Sequence, residues 1–318
     1  MAGKVFSGIG GQAVMEGVMM RSKDEYAVAV RLSDHSIHVE KKRDNFGSSK
    51  WLKVPIIRGV ISFIYSLVTG IRALMTSASF IEDDEETKET RSHMTAEEIK
   101  KAEDKELWGS FFFSLILALA IFFMLPYGLS KLFQRLVSNK EVVIAFEGIL
   151  RVVIFLAYIV LISKLEDIRR VYMYHGAEHK CINCIENGMP LTVENVKKSA
   201  RLHKRCGTSF IFIVMIISIF VFMFIRSENP LIQILLRFAL IPVVAGISYE
   251  FIRLAGRSEN ALVNLLSKPG LALQKLTTQE PDDSMIEVGI ASVEAVFDWK
   301  KFQEEHQSDF AMGNEVHH

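Results

Sequence analysis

His175, Glu178 and His179 lie within one short string, Tyr174-His175-Gly176-Ala177-Glu178-His179-Lys180. On a helix, His175 and His179 are one turn apart and face the same way. Two imidazoles at that spacing can hold one zinc-like divalent ion. The string also fits the H-x-x-E-H pattern, in which the glutamate next to the ligands acts as general base. Further along, Thr192 can cap a helix running from Val193. Val193, Val196, Ala200 and His203 then share a face, and Cys206 follows on that side. His203 and Cys206 are therefore candidate ligands facing His175 and His179. Three histidines and one thiolate make a tetrahedral zinc set; three protein ligands plus water make a catalytic site, and four make a closed structural one.

Two other readings compete. Cys181-x2-Cys184 followed by His203-x2-Cys206 also has structural-zinc spacing. Alternatively there is no metal, and histidines in a basic juxtamembrane loop are simply solvated or touch lipid headgroups. Glu178 separates catalysis from structure: a hydrolase needs a carboxylate there as base, whereas a structural site in a scaffold or regulatory subunit does not.

The elements that must position these residues are membrane helices. Half of the 318 residues are hydrophobic, yet charge is segregated into dense stretches between nearly uncharged ones, the pattern of a membrane protein. The expected fold is mainly α: a polytopic membrane protein with about four transmembrane helices and a small N-terminal α/β cytoplasmic part. The spans are placed at 109–129, 142–163, 208–225 and 231–251, each long enough for a hydrocarbon core of about 30 Å. Between the second and third spans, the loop 164–207 carries nine of the chain's basic residues, among them Arg169, Arg170, Lys197, Lys198 and Arg201. The positive-inside rule puts that loop, and with an even number of spans both termini, in the cytoplasm. The location is then a cell membrane, crossed several times. Three cysteines clustered in one loop suit a reducing compartment rather than a secreted disulfide scaffold. The N-terminus lacks a continuous apolar stretch, so no cleaved signal peptide is expected. A formal net charge of zero offers no argument for nucleic acid as a partner. The expected partners are the lipid bilayer and either another membrane protein or a second copy.

The remaining segments divide as follows. Residues 1–53 form the N-terminal part, with a β-hairpin over 26–32 and 36–42 joined at Ser33-Asp34-His35. Gly8, Gly10, Gly11 and Gly17 suggest a tight turn rather than a phosphate loop, because no Walker lysine accompanies them. In 54–80, Arg58 and Arg72 leave an uncharged core too short for a span, so an amphipathic or re-entrant helix is expected. An acidic linker occupies 81–107, with a capping box at Thr95-Ala96-Glu97-Glu98. The membrane domain is 108–252, and 253–318 is a C-terminal cytoplasmic segment. Within the latter, Asp282 caps a helix whose stripe is Ile286, Ile290, Val293 and Phe297. In the spans, Glu147 and Arg151 are four apart and suited to pairing, and Glu250 ends the last span; intramembrane charge is costly and points to function or to helix register.

Gly10-Gly-Gln-Ala-Val-Met-Glu-Gly17 with Met20-Arg21, Pro55-Ile-Ile-Arg58-Gly59, His175-Gly-Ala-Glu-His-Lys180, Arg205-Cys-Gly-Thr-Ser-Phe210 and Glu280-Pro-Asp-Asp283 together resemble the YqhQ-like bacterial membrane proteins, the family called domain of unknown function 1385. The resemblance covers nearly the whole chain. It implies a metal-dependent enzyme without an assigned substrate, with His175, Glu178, His179, His203 and Cys206 in its motifs and Cys181 and Cys184 outside them. The expectation is a metal-dependent hydrolase at the membrane–cytoplasm boundary. His175 and His179 with His203 or Cys206 would bind a divalent metal, zinc by its ligand types, and Glu178 would be the catalytic base. Glu250 is a further candidate for the third ligand.

Overall fold

The computed structural model describes residues 5–43, 50–80, 96–225, 227, 229–256, 258 and 260–310. Of the acidic linker expected over 81–107, residues 81–95, with the cap at Thr95, lie outside them, and 96–107 are helix rather than linker. The chain divides into two compact units, Met1–Ile81 with Val160–Ile213 and Ala245–His318, and Glu82–Ile159 with Val214–Val244.

The first unit begins with an antiparallel sheet of four strands in sequence order, β1 (Gly10–Val14), β2 (Gly17–Ser22), β3 (Glu25–Arg31) and β4 (Ile37–Arg43). The expected hairpin is β3–β4, paired from Glu25↔Arg43 to Arg31↔Ile37. The glycine-rich stretch differs from the expected turn. It is mostly strand, and the turn is confined to Met15 and Glu16, where Glu16 takes φ 49°. Glu16 accepts from Arg170 and from the Tyr174 hydroxyl, so a left-handed residue other than glycine is held there by charge.

The helices of this unit are α1 (Ile57–Ala78), α5 (Glu166–Glu186), α6 (Val193–Lys198), α9 (Ala261–Thr277), α10 (Asp283–Val296) and α11 (Trp299–Glu305). Asp282 caps α10 by accepting from the Met285 N–H at 2.9 Å, as its sequence predicts. The buried face of α10, with Ile286 and Val293, joins α5 and the sheet in one core that also holds Tyr174, Ile182 and Ile185. Between α9 and α10, the chain passes so close to α5 that a Cβ on Gly176 would lie 2.0 Å from the Gln279 carbonyl oxygen. That contact is backbone against backbone and cannot be relieved by a rotamer change. Gly176→Ala is therefore expected to destabilise the protein by at least about 2 kcal/mol, read as a lowered thermal unfolding midpoint.

Thr192 caps α6, accepting from the Asn195 N–H, but the helix ends at Lys198 rather than continuing to His203. The cause is competition for its carbonyls. Lys180 Nζ donates to the carbonyls of Lys197 and Ser199, and Asn183 Nδ2 to those of Ala200 and Leu202. These oxygens are thereby satisfied by α5 side chains instead of by a further helical turn.

Among the described residues, four helices are long and apolar enough to cross a membrane: Ile57–Ala78, Trp108–Phe133, Lys140–Ile162 and Pro230–Ala255. This set differs from the expected one at two points. α1 qualifies by length and composition, whereas the helix at Gly207–Phe222, here α7, has 16 residues. At 1.5 Å per residue it is about 24 Å long.

In the second unit, α2 (Ala96–Leu119) passes through a wider π turn at Ala120–Met124 into α3 (Leu125–Phe133); α4 is Lys140–Ile162 and α8 is Pro230–Ala255. Pro126 has no N–H to give to the Phe122 carbonyl four residues earlier. Arg151 Nε donates to that oxygen instead, at 3.1 Å. The expected Glu147–Arg151 pair is present at 2.9 Å and buried, and Arg237 of α8 joins it at 2.5 and 2.8 Å. Removing the carboxylate would leave the buried Arg151 guanidinium without its counter-charge and facing the partly buried Arg237, a change that costs about 3–5 kcal/mol in buried pairs.

Candidate metal centre

α5 carries His175 and His179 one turn apart, as the sequence predicts, and buries Glu178 and His179. The backbone fixes the tautomer of both rings. His175 Nδ1 lies 2.9 Å from the Thr277 carbonyl, and His179 Nδ1 lies 2.6 Å from the Arg201 carbonyl. A carbonyl can only accept, so each Nδ1 carries the proton and each Nε2 keeps its lone pair. Thr277 is the last residue of α9, where helical carbonyls lack intrahelical donors, and Arg201 lies in the irregular segment after α6. Orienting an imidazole through its far nitrogen in this way is how proteins prepare histidine for a metal.

Cys206 supplies the third donor. Its Sγ lies 3.2 Å from His175 Nε2 and 3.0 Å from Thr208 Oγ1. One ligand atom from each of His175, His179 and Cys206 falls within 4.8 Å of the others. Two imidazoles and a thiolate are a donor set suited to zinc.

The Glu178 carboxylate sits beside them. Its Oε2 is 3.8 Å from His175 Nε2 and 3.6 Å from His179 Nε2. Burial pushes its pKa up to about 7, against the opposing pull of His175 and of the Gly11 N–H that donates to it. Gly11 is part of β1, which lies over the site. A Cβ there would sit 2.5 Å from the Met19 carbonyl oxygen and 3.0 Å from Glu178 Cγ. Glycine at this position lets a strand approach the carboxylate closely.

His203 is placed differently from the other candidates. Its ring centre is 5.8 Å from that of His179, and its Nε2 lies 3.5 Å from Glu186 Oε2. Arg205 also pairs with Glu186, and Ser7 donates to it through N–H and hydroxyl. Burial alone would raise the Glu186 pKa, but the hydrogen bond from His203 and the charge of Arg205 hold it below the usual carboxylate range. Gln274 of α9 then clamps His203 by its backbone, accepting from its N–H at 2.9 Å and donating to its carbonyl at 2.7 Å. The 199–206 segment is irregular, yet Gln274, Asn183, Lys180 and His179 tie down its polar backbone, and this fixes Cys206.

The structure does not bring the alternative cysteine grouping together. Cys181 packs against Gly289 in the core, and burial pushes its thiol well up. Cys184 faces the carbonyls of Met189 and Pro190, and burial raises it to about 11. Neither belongs to the His/Cys cluster found among the described residues. Glu250 is held by the Arg58 guanidinium and the Ile56 N–H.

Gly11, Thr277, Glu186 and Gln274 were not singled out by sequence reasoning. Gln274 carried a detectable signal, being a polar residue in an apolar stretch of its helix; Glu186 did not, since its helix is rich in polar residues. The Thr277 carbonyl carried none, because a backbone oxygen has no residue type.

Residues 54–299 match the family described as "Protein of unknown function (DUF1385)". The chain is similar to an uncharacterised protein of Bacillus subtilis (strain 168), YqhQ, with 36% identity over 311 residues that cover 96% of each chain. No solved structure matches.

Proposed function

The chain belongs to the DUF1385 family, and within it we propose a membrane-embedded, metal-dependent hydrolase working at the membrane–cytoplasm boundary. The observation that carries this reading is the convergence of His175, His179 and Cys206, with both histidines held by carbonyls through Nδ1. These three residues would hold one zinc-like ion. Such an ion supplies Lewis-acid polarisation of a substrate oxygen and acidifies water. The rest is done by the chain. Glu178 holds or takes a proton at Oε2, next to both ligating nitrogens. β1 and its Gly11 N–H keep that carboxyl in place and limit water around it. Ser7, Arg205 and Glu186 fix the floor beneath His203.

Glu178 also supports a second reading. At 3.6–3.8 Å from both Nε2 atoms, a small rotation makes it a fourth ligand. The site would then be closed, and the protein a scaffold or regulatory subunit with a structural ion. Metal analysis of the purified full chain tests the shared premise. We expect one zinc per chain in the wild type, and an affinity lowered at least tenfold in Cys206→Ser, since a hydroxyl is a far poorer ligand for zinc than a thiolate.

The membrane arrangement belongs to the same reading. The basic 164–207 segment favours the cytoplasm. α1 fits an interfacial helix better than a span. Its inner face is tied to the sheet by Gln12 donating to the Gly70 carbonyl and by Ser77 accepting from the Met15 N–H. Its outer face exposes Phe63, Ile64, Leu67 and Val68, as a helix lying in the headgroup region would. A cysteine introduced at Asn187, an exposed position, is expected to be labelled by an impermeant thiol reagent only after the cells are opened. Labelling in intact cells overturns the topology.

A further inference from the structure

We propose that the second unit binds a phosphate-type oxyanion in a polar cavity formed by α3, α4 and the first half of α8. The cavity measures about 440 Å³, and its lining includes Tyr127, Lys131, Gln134, Lys140, Gln233 and Arg237. Its electrostatics are unbalanced. Among the described residues of the lining, Glu147 is the one carboxylate, and it already accepts from both Arg151 and Arg237. Two guanidinium groups therefore share one carboxylate, and the Lys131 ammonium faces the same cavity.

Aromatic rings hold these cations in place. Arg237 lies over the rings of Tyr127 and Phe222, and Arg151 over those of Phe123 and Phe222. Such contacts are attractive and fix the guanidinium groups, but a ring face accepts no conventional hydrogen bond in the guanidinium plane, so donors there still call for an acceptor. Arg237 also leaves one donor unused. Its two terminal nitrogens are spent on Glu147, and its buried Nε–H has no acceptor. A buried N–H without a partner in an otherwise well-bonded group indicates an absent acceptor.

Several donors line the same space. The Lys131 ammonium gives one N–H to Gln134 Oε1 at 3.3 Å and has two more. The Gln233 amide gives one N–H to the Ser227 carbonyl and has a second. Cationic and neutral donors spread around one cavity suit a tetrahedral anion with several acceptor oxygens, which is the chemistry of phosphate. Two sources offer that group: inorganic phosphate from the aqueous phase and the headgroup of an anionic phospholipid.

The test uses the full-length protein in detergent. Binding of inorganic phosphate is measured by calorimetry. Binding of phosphatidylglycerol is measured by native mass spectrometry, with a diacylglycerol of the same chains as the control lacking phosphate. We expect the wild type to bind at least one of the two phosphates and not the diacylglycerol. Phosphate binding identifies a soluble anion, and binding of the phospholipid alone identifies a headgroup. Lys131→Glu, which leaves the Glu147–Arg151–Arg237 cluster intact, is expected to weaken that binding at least tenfold. Arg237→Lys, which keeps the charge but removes Nε–H, is expected to weaken it as well. No binding of either phosphate, or binding unchanged in Lys131→Glu, overturns the proposal. Because Lys131 is outside the buried cluster, that variant decides the matter even if Arg237→Lys fails to fold.

Discussion

In the His175→Ala/His179→Ala protein, zinc content is expected to fall from one ion per chain to less than about a tenth of that, measured by elemental analysis after purification. The two substitutions remove two of the three donors that converge with Cys206, and a lone thiolate does not retain zinc against purification buffers. The fold should survive, because the hydrogen bonds lost are few. His175 gives up its bond to the Thr277 carbonyl and His179 its bond to the Arg201 carbonyl, while Lys180, Asn183 and Gln274 still hold the 199–206 segment. A single His179→Ala change should also release most of the metal. Zinc content unchanged in the double variant removes the metal centre from consideration, whatever the activity.

How far the sequence anticipates this site depends on whether a residue acts locally. The facing histidines follow from helical spacing alone, as do the Thr192 and Asp282 caps and the Glu147–Arg151 pair four residues apart. The β3–β4 hairpin follows from alternation. The misses are long-range. β1 begins with two glycines and β2 holds a continuous apolar run at Val18–Met20, so neither alternates, yet Gly11 is glycine because the Met19 carbonyl and Glu178 both crowd it. Arg237 is ninety residues from Glu147, and nothing in its neighbourhood announces the partnership. His203 looked like a ligand because α6 was expected to continue to it. The helix stops at Lys198 because α5 side chains, far away in sequence, take up the next carbonyls, and His203 then turns to Glu186. Span lengths suffer similarly. Composition locates apolar stretches, but Gly207–Phe222 stops at 16 residues because the chain turns after Phe222, three residues before the expected end.

Glu178→Gln is expected to keep its zinc and lose function. The amide preserves the shape of the side chain and still accepts from the Gly11 N–H through its oxygen, but it cannot take up a proton as a carboxylate does. Loss of a general base typically costs about 10²–10⁴-fold in rate. Without a known substrate, the measurement is complementation of a deletion strain's growth or stress phenotype, taken together with metal occupancy of the same variant. Three outcomes are distinguishable. Full metal with lost function supports the base. Metal affinity lowered together with function indicates that Glu178 belongs to the ligand set, which its 3.6–3.8 Å approach to both Nε2 atoms permits, and favours the closed structural site. Full metal with full function leaves Glu178 as a buried carboxyl whose role is to meet β1 at Gly11, and removes the hydrolase reading. Glu178→Ala would be a poorer test. It opens space under β1 where the carboxylate packs against Gly11, so its loss of function would mix missing chemistry with a displaced strand.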